Sequence, residues 1–312
     1  MTFTAEEVEL KNREIYDDTS GPVWQLAIYG AVHQGREFIN LGGARALDQI
    51  ASLAALDTRK TAVEICAGRG AVCRYFAERW GCRITGVEWN AKQAESGRAM
   101  LERMPEPVAE RVRIVNADCL AWRPEAPVDV VVSVDSMMLL PAVPAVLRHC
   151  RSMLRNRGQV FIVTIGAGEA ISSETRRFAW EIDGMASLHS REDYIALLED
   201  AGFESPSVTD ITPLAIDTSE LIDAALHTHR AGIVELAGEE AFRGWVEVGA
   251  RYLAAFRRRE LAYLLASARK QSQNVAITDN AAGPRTNYDQ AGSRFQYPVR
   301  LNRTSSGKEM IQ

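Results

Sequence analysis

Residues 62–75 read AVEICAGRGAVCRY: a β-rich run containing Glu64, a turn of small residues (Cys66, Ala67, Gly68, Arg69, Gly70), and the start of a helical pattern. Such a turn lets backbone approach a ligand closely and aims amide N–H groups at it. It also serves as a plain strand-to-helix connection, so its chemistry depends on the groups around it. A dinucleotide fingerprint needs G-x-G-x-x-G or A. Counted from position 66 the first glycine is replaced by Cys66, and counted from Gly68 the last position is Cys73, so neither register fits. Glu64 would repel a pyrophosphate but suits a ligand with an ammonium group. Glu88 ends the next β-rich run (TGVE), where it can accept two ribose hydroxyls, and Asp118 follows the third in the sequence Asn116-Ala117-Asp118-Cys119, where it can accept an adenine amino group. Three acids at three successive strand ends describe a cationic nucleoside.

These groups need a parallel sheet to bring them together. Strands are expected at 61–66, 83–88, 111–116, 128–134 and 158–164, with helical patterns at about 70–80, 90–103 and 142–155, each long enough for a right-handed crossover. The run Val130, Val131, Val132 is apolar on both faces, as a central strand requires. Beyond the fifth strand, 190–201 reads as a short helix with Ser190 as N-cap, Asp193 at the third helical position, and Gly202 closing it. A strand follows at about 206–211, then helices at 214–237 and 239–258 with Leu221, Ala225, Ile233 and Leu236 on one apolar stripe, then a strand at 261–269. The first 55 residues are helical and lie outside the sheet, so the expected organisation is an N-terminal helical lid (1–55), an α/β domain (56–270) carrying a helical insertion at about 214–258, and a polar tail (271–312).

Composition excludes several classes. The 312 residues are 46% hydrophobic and 25% charged, values of an ordinary globular protein. The net charge is −5, and the slightly basic tail (+2) leaves −7 on residues 1–270. No basic block can track a phosphate backbone, so nucleic acid is not an expected partner. No apolar stretch is long enough for a membrane span and no secretory h-region follows the charged N-terminus, so a cytoplasmic location is expected. The five cysteines show neither CxxC spacing nor clustering with histidines, and no metal site is expected. The tail, rich in Asn, Ser, Thr, Gly and Gln, is read as an extended arm or a disordered segment, and a homo-oligomer formed through it remains open.

The segments VEICAGRG, GVEWN, NADC, VDVVVSVDS and NRGQVFIV together resemble motifs of the class I S-adenosylmethionine-dependent methyltransferases. The resemblance is greatest to the small-molecule group that includes sarcosine and dimethylglycine N-methyltransferases and natural-product tailoring enzymes, and it runs from about residue 16 to residue 270. It implies a Rossmann-like seven-stranded sheet of order 3-2-1-4-5-7-6 with the last strand antiparallel, and S-adenosyl-L-methionine as cofactor. By the same resemblance, Glu64 and the turn Cys66, Ala67, Gly68 and Gly70 would hold the methionine part, Glu88 the ribose, Trp89 one adenine face, and Asp118 with Cys119 its edge. Ser133 would lie beside the sulfonium. Two positions depart from the pattern: Cys66 stands where the family usually has glycine, and Met138 and Leu139 stand where many relatives carry histidine.

Methyl transfer is an in-line displacement at a sulfonium carbon, for which the protein supplies alignment, desolvation and sometimes a base. His33 is the candidate base, with a structural or solvated histidine as the alternative. Tyr16 is either a residue that closes over the cofactor or a helix contact, and Glu181 either a proton acceptor or a solvated carboxylate. Tyr29, Met137, Met138, Trp180 and Trp245 are the expected walls of the substrate pocket. Such walls suit an apolar, aromatic or isoprenoid metabolite of secondary metabolism, methylated on carbon, nitrogen or oxygen. A cyclase that keeps the same cofactor and fold, and a catalytically inactive assembly subunit, are the competing readings.

Overall fold

Successive side chains of a strand point to opposite faces, so a strand that is apolar at both parities must be covered on both sides. In the computed structural model, which describes residues 3–16 and 23–272, the strands are covered in this way. Helices α1 (Ala5–Tyr16), α2 (Val23–Val32) and α3 (Gly43–Ala54) precede β1 (Thr61–Ile65). There follow α4 (Ala71–Trp80), β2 (Arg83–Glu88), α5 (Ala91–Leu101), the single turn α6 (Glu106–Ala109), β3 (Val112–Asn116) and β4 (Val128–Val134). After a 3₁₀ turn (Met137–Leu139) come α7 (Val143–Met153), β5 (Leu154–Ala167), α8 (Ser173–Asp183), α9 (Arg191–Asp200) and β6 (Phe203–Asp210). Helices α10 (Thr212–Thr228) and α11 (Arg230–Arg257) lead into β7 (Leu261–Lys270).

The seven strands form one sheet of order β3-β2-β1-β4-β5-β7-β6, as expected. The first five are parallel to one another, while β7 runs antiparallel to both β5 and β6. Alternation divides the core into two layers. Val130, Val132, Phe161, Val163, Tyr263 and Leu265 pack with Leu47, Ile50, Phe76 and Phe256 of the helices on one face. Val131, Val160, Ile162, Leu264 and Ala266 pack with Leu147, Cys150, Tyr194 and Leu198 on the other. The capping box expected on α9 is present, with Ser190 and Asp193 bonded reciprocally.

Chain order reverses between β1 and β4: the sequence after β1 proceeds outward through β2 and β3, and the sequence after β4 proceeds the other way. The connections leaving these two strands diverge and leave a crevice at their carboxyl ends, the place where sheets of this kind receive ligands. Glu64, Glu88 and the residues that follow β3 and β4 are delivered to this edge.

The late helices differ from expectation. Gly238, at φ 88° and ψ 162°, interrupts α11 at the predicted boundary, but a second break falls at His229, which the apolar pattern does not signal. The predicted stripe is also divided. Ile233 is buried, whereas Leu221 and Leu236 are exposed, and the buried positions are Leu214, Ala215, Thr218 and Leu226 on α10 with Ile233, Phe242, Ala255 and Phe256 on α11. An added break resets the helical phase, so a stripe drawn across it has no single face. The fifth strand starts at Leu154 rather than 158, and β6 starts at Phe203 rather than 206. No helix among the described residues is long and apolar enough to cross a membrane. The proposed arm at 271–312 falls almost wholly outside the described residues.

The turn after β1 lies directly on β2. A Cβ built on Gly86 would stand 2.8 Å from Ala67 Cβ, 2.9 Å from Ile114 Cδ1 and 3.0 Å from Cys73 Sγ. Overpacking of this kind costs about 1–3 kcal/mol. Gly86→Ala is therefore expected to lower the urea midpoint with an unchanged m-value; an unchanged midpoint would mean that the turn yields without strain.

Candidate functional site

Three of the five turn residues adopt left-handed backbone: Cys66 (φ 54°), Gly68 (φ 52°) and Gly70 (φ 71°). Two are glycines and tolerate it, whereas at Cys66 the conformation is strained. The strain is held by neighbours. Ala67 N–H donates to Val87 O (3.1 Å), Gly68 N–H to Glu88 Oε2 (2.7 Å) and Gly70 N–H to Ala67 O (2.8 Å). The Cys66 thiol is hydrogen-bonded to Cys119 and to Ser136, and Ser136 Oγ lies 2.8 Å from Ser133 Oγ. A polar chain thus crosses the crevice between the ends of β1, β3 and β4. Donation to Cys119, with burial, holds the Cys66 proton tightly, and the same bond lowers the Cys119 thiol.

The two strand-end glutamates are among the few buried acids. Glu64 is 3% exposed, and the Cys73 thiol donates to its Oε2 at 2.8 Å. Burial pushes its carboxyl up to about 8, against the smaller downward pull of that bond. Glu88, 5% exposed, accepts from Gly68 N–H and from Asn90 N–H (2.8 Å), and burial raises it despite both bonds. Asn90 also caps α5 through Lys92 N–H and Gln93 N–H, which fixes the peptide carrying Trp89. The Trp89 ring is partly exposed, with the Arg13 guanidinium 5.9 Å from its centre. Asp118 is exposed and accepts from Leu120 N–H at 2.8 Å. The structure therefore gathers Glu64, Cys66, Ala67, Gly68, Gly70, Glu88, Trp89, Cys119 and Ser133 around one crevice, with Asp118 at its outer rim.

Across the mouth lie two part-buried carboxylates that the sequence motifs do not mark, Asp135 and Asp183. Asp135, at φ 47° just after β4, accepts from Leu41 N–H (2.9 Å) and Tyr263 OH (3.0 Å), and Tyr263 OH in turn accepts from Gly42 N–H (3.0 Å). Burial pushes Asp135 up to about 7. Its place directly after an apolar strand, as with the acids at the ends of β1 and β2, is the signal that could have found it. Asp183, the last residue of α8, accepts from Tyr252 OH of α11 and is raised by burial. Tyr29 connects the two. Its hydroxyl is raised first by burial and then by the charges of Asp183 and Asp135.

The other predicted residues are distributed unevenly. His33 is 9% exposed, and its ring stacks on Tyr29 (centroids 6.2 Å) and is hydrogen-bonded to the Asn40 backbone. Burial lowers it, which favours the neutral imidazole. Glu181 is exposed; Asp183, two residues later on the same helix, is part-buried. Met138 faces the layer that contains Phe161 and Tyr263, whereas Met137 is buried in the opposite layer against α7 and cannot line the pocket. A 3₁₀ turn rotates about 120° per residue and so separates the two. Trp180 stacks on Phe3 (centroids 3.9 Å), while Trp245 packs with Ile28, Leu226, Ile233 and Phe242 in a separate cluster. The Tyr16 side chain lies outside the described residues. Among the described residues no group of three metal-binding side chains comes together.

The fold is shared with solved methyl-transferring and ring-forming proteins. Haemonchus contortus phosphoethanolamine N-methyltransferase 2, in complex with phosphomonomethylethanolamine and S-adenosylhomocysteine, superposes with a TM-score of 0.73 at 17% identity, over 83% of this chain and 60% of that one. The cyclopropane synthase MmaA2 from Mycobacterium tuberculosis gives 0.65 at 18% identity, over 73% of this chain and 84% of that one. In sequence, trans-aconitate 2-methyltransferase from Azoarcus sp. (strain BH72) is 32% identical over 112 residues, 34% of this chain. That match spans only 41% of the length of the relative. The family model described as a methyltransferase domain matches residues 35–208, which is more than half of the chain and contains Glu64, the 66–70 turn, Glu88, Asp118, Ser133, Asp135 and Asp183. The chain belongs to the methyltransferase-domain family.

Proposed function

We propose that this protein transfers a methyl group from S-adenosyl-L-methionine to a small molecule. The observation that carries this reading is the placement of Glu64 and Glu88, both buried, at adjacent strand ends beside a turn where Gly68 leaves open space at its Cβ position. One carboxylate suits an ammonium group and the other a pair of ribose hydroxyls, which is the charge pattern of this cofactor. In this assignment Cys66, Ala67, Gly68 and Gly70 hold the methionine part, Trp89 covers one face of the adenine, and Asp118 and Cys119 meet its edge. Ser133 lies beside the sulfonium. The cofactor supplies the reactive methyl group; the chain supplies alignment and a dry, enclosed site.

Helices α1, α2, α10 and α11 form the lid of this site in our reading. Asn12 Nδ2 of α1 donates to Leu139 O after β4 (3.1 Å), which ties the first helix over the crevice. Tyr29, Met138 and Trp180 wall the acceptor pocket, and their apolar surface supports an aromatic or otherwise largely apolar metabolite. Asp135 is the better placed proton acceptor, because a carboxyl near 7 is poised to take a proton at neutral pH. His33 orients that side of the pocket. A role in secondary metabolism and a cytoplasmic location belong to the same reading.

The direct test is incubation of the protein and methyl-labelled cofactor with an extract of its own host. Label is expected in a small-molecule product, and failure of the cofactor to bind at micromolar concentration in calorimetry would overturn the proposal. Glu88→Ala is expected to weaken cofactor binding by at least about 2 kcal/mol, roughly 30-fold, because ribose hydroxyls would be left unpaired in a buried site.

Glu64 generates a pH dependence with a definite sign. In the empty site its carboxyl titrates at about 8, and a cationic ligand needs the deprotonated form. Cofactor affinity is expected to fall as pH is lowered below 8, by up to about tenfold per unit, with proton release on binding. Glu64→Gln should bind more weakly at pH 8 and flatten the profile. A wild-type profile already flat between pH 6 and 8 would show that Glu64 does not face the cation.

A further inference from the structure

Among the described residues, four buried side-chain atoms around the crevice have no hydrogen-bond partner in the protein: Asn12 Oδ1, His33 Nε2, Asn40 Oδ1 and Asp135 Oδ1. The two amides are fixed in orientation, since Asn12 Nδ2 donates to Leu139 O and Asn40 Nδ2 to Gly43 O (3.4 Å). Turning either would set two carbonyl oxygens against each other. The neutral His33 ring, already bonded to the Asn40 backbone, offers at its free nitrogen a lone pair. The orphaned atoms around the crevice are therefore acceptors, and their missing partners are donors. Asn40 (3% exposed) and His33 are both more than nine-tenths buried, so bulk water does not satisfy them.

Charge points the same way. Asp129, 7% exposed at the opposite end of β4, is met by Lys60 and Arg155 and by Thr61 N–H and Oγ1. This is the usual treatment of a buried carboxylate. Among the described residues the donors to Asp135 and Asp183 are neutral, and neither carboxylate forms an ion pair with Lys or Arg. Glu64 is already assigned to the cofactor ammonium. Asp183 and Asn12 are neighbours: Asn12 Oδ1 is 3.2 Å from the Cβ position of Gly184, the residue after Asp183. The Tyr252 ring that holds Asp183 packs on Phe178 (centroids 4.9 Å), whose ring is covered by the Arg251 guanidinium at 4.0 Å, so the apolar surface left for a ligand comes from Tyr29 and Met138.

We infer that the methyl acceptor carries a protonated amine, which Asp183 and Asn12 Oδ1 receive while its apolar body lies along Tyr29 and Met138. This inference rests on the methyltransferase reading and narrows its substrate to organic cations with an apolar or aromatic frame. Asp183 is the specificity residue, and Tyr252 OH holds it in place.

The test uses the full chain saturated with S-adenosylhomocysteine, so that the cofactor's own ammonium is already in place. Tyramine and 4-ethylphenol, which differ in the ammonium group, are titrated by calorimetry. Tyramine is expected to bind at least about tenfold more tightly, and Asp183→Asn, which preserves side-chain size and the Tyr252 bond, is expected to abolish that preference while leaving S-adenosylhomocysteine affinity unchanged. Equal binding of the two probes, no tyramine binding at millimolar concentration, or a preference that survives in Asp183→Asn would each overturn the inference. Failure of S-adenosylhomocysteine to bind would instead remove the methyltransferase reading on which it stands.

Discussion

Five parallel strands deliver their carboxyl ends to one edge of the sheet, and the reversal of strand order between β1 and β4 keeps the following loops from closing over that edge. Much of the site depends on this constraint. Glu64 and Glu88 lie on adjacent strands in fixed register, Glu64 pairing with Gly86 and Val132, and Glu88 with Asn116. The sheet thus sets the separation and burial of the two acids before any loop is considered. The remaining groups are brought to the same edge from outside it, by the 66–70 turn, the residues after β3 and β4, and helices packed across the opening.

The strand order and the cofactor edge were legible because their signals are local. Each β-rich run is short, each crossover carries its own helical period, and the acids that matter sit at run ends that the sequence itself displays. The opposite wall was not legible in the same way. Asp135 acquires its character from Leu41 N–H, 94 residues away, and Tyr263 OH, 128 residues away. Asp183 differs from Glu181 only by about 200° of rotation on one helix, and its partner Tyr252 is 69 residues further along. Met137 and Met138 are indistinguishable in composition until a 3₁₀ turn sends them to opposite layers. Gly238 announced its break through its residue type; His229 carries no comparable signal.

Cys66 shows how the site accommodates a local departure from pattern. Left-handed backbone at a residue with a Cβ persists only where its surroundings over-determine it. Here the turn is pinned to β2 by Ala67 and Gly68, and the thiol is bonded on both sides, by Cys119 and Ser136. The thiol side chain that makes the position strained also supplies bonds a glycine would lack. It links the end of β1 to the segments after β3 and β4, between which the adenosine part of the proposed cofactor would lie.

The raised carboxyls of Glu64 and Asp135 also give the protein a particular pH response. A carboxyl whose pKa is raised on folding holds its proton more tightly in the folded state, so its contribution to stability is present at low pH and is lost as pH rises. For Glu64 and Asp135 that loss extends from the ordinary carboxylate range up to about 8 and about 7 respectively. At neutral pH the unoccupied chain therefore sits on the falling side of both transitions, with acids that are either protonated or ionised at a cost. A cation placed beside either one reverses the sign of its contribution, because the charged form then becomes the favoured one. The feature that costs stability in the empty state is thus the one that couples occupancy to stability, and it distinguishes Glu64 and Asp135 from Asp129, whose charge is met by Lys60 and Arg155 with or without a ligand.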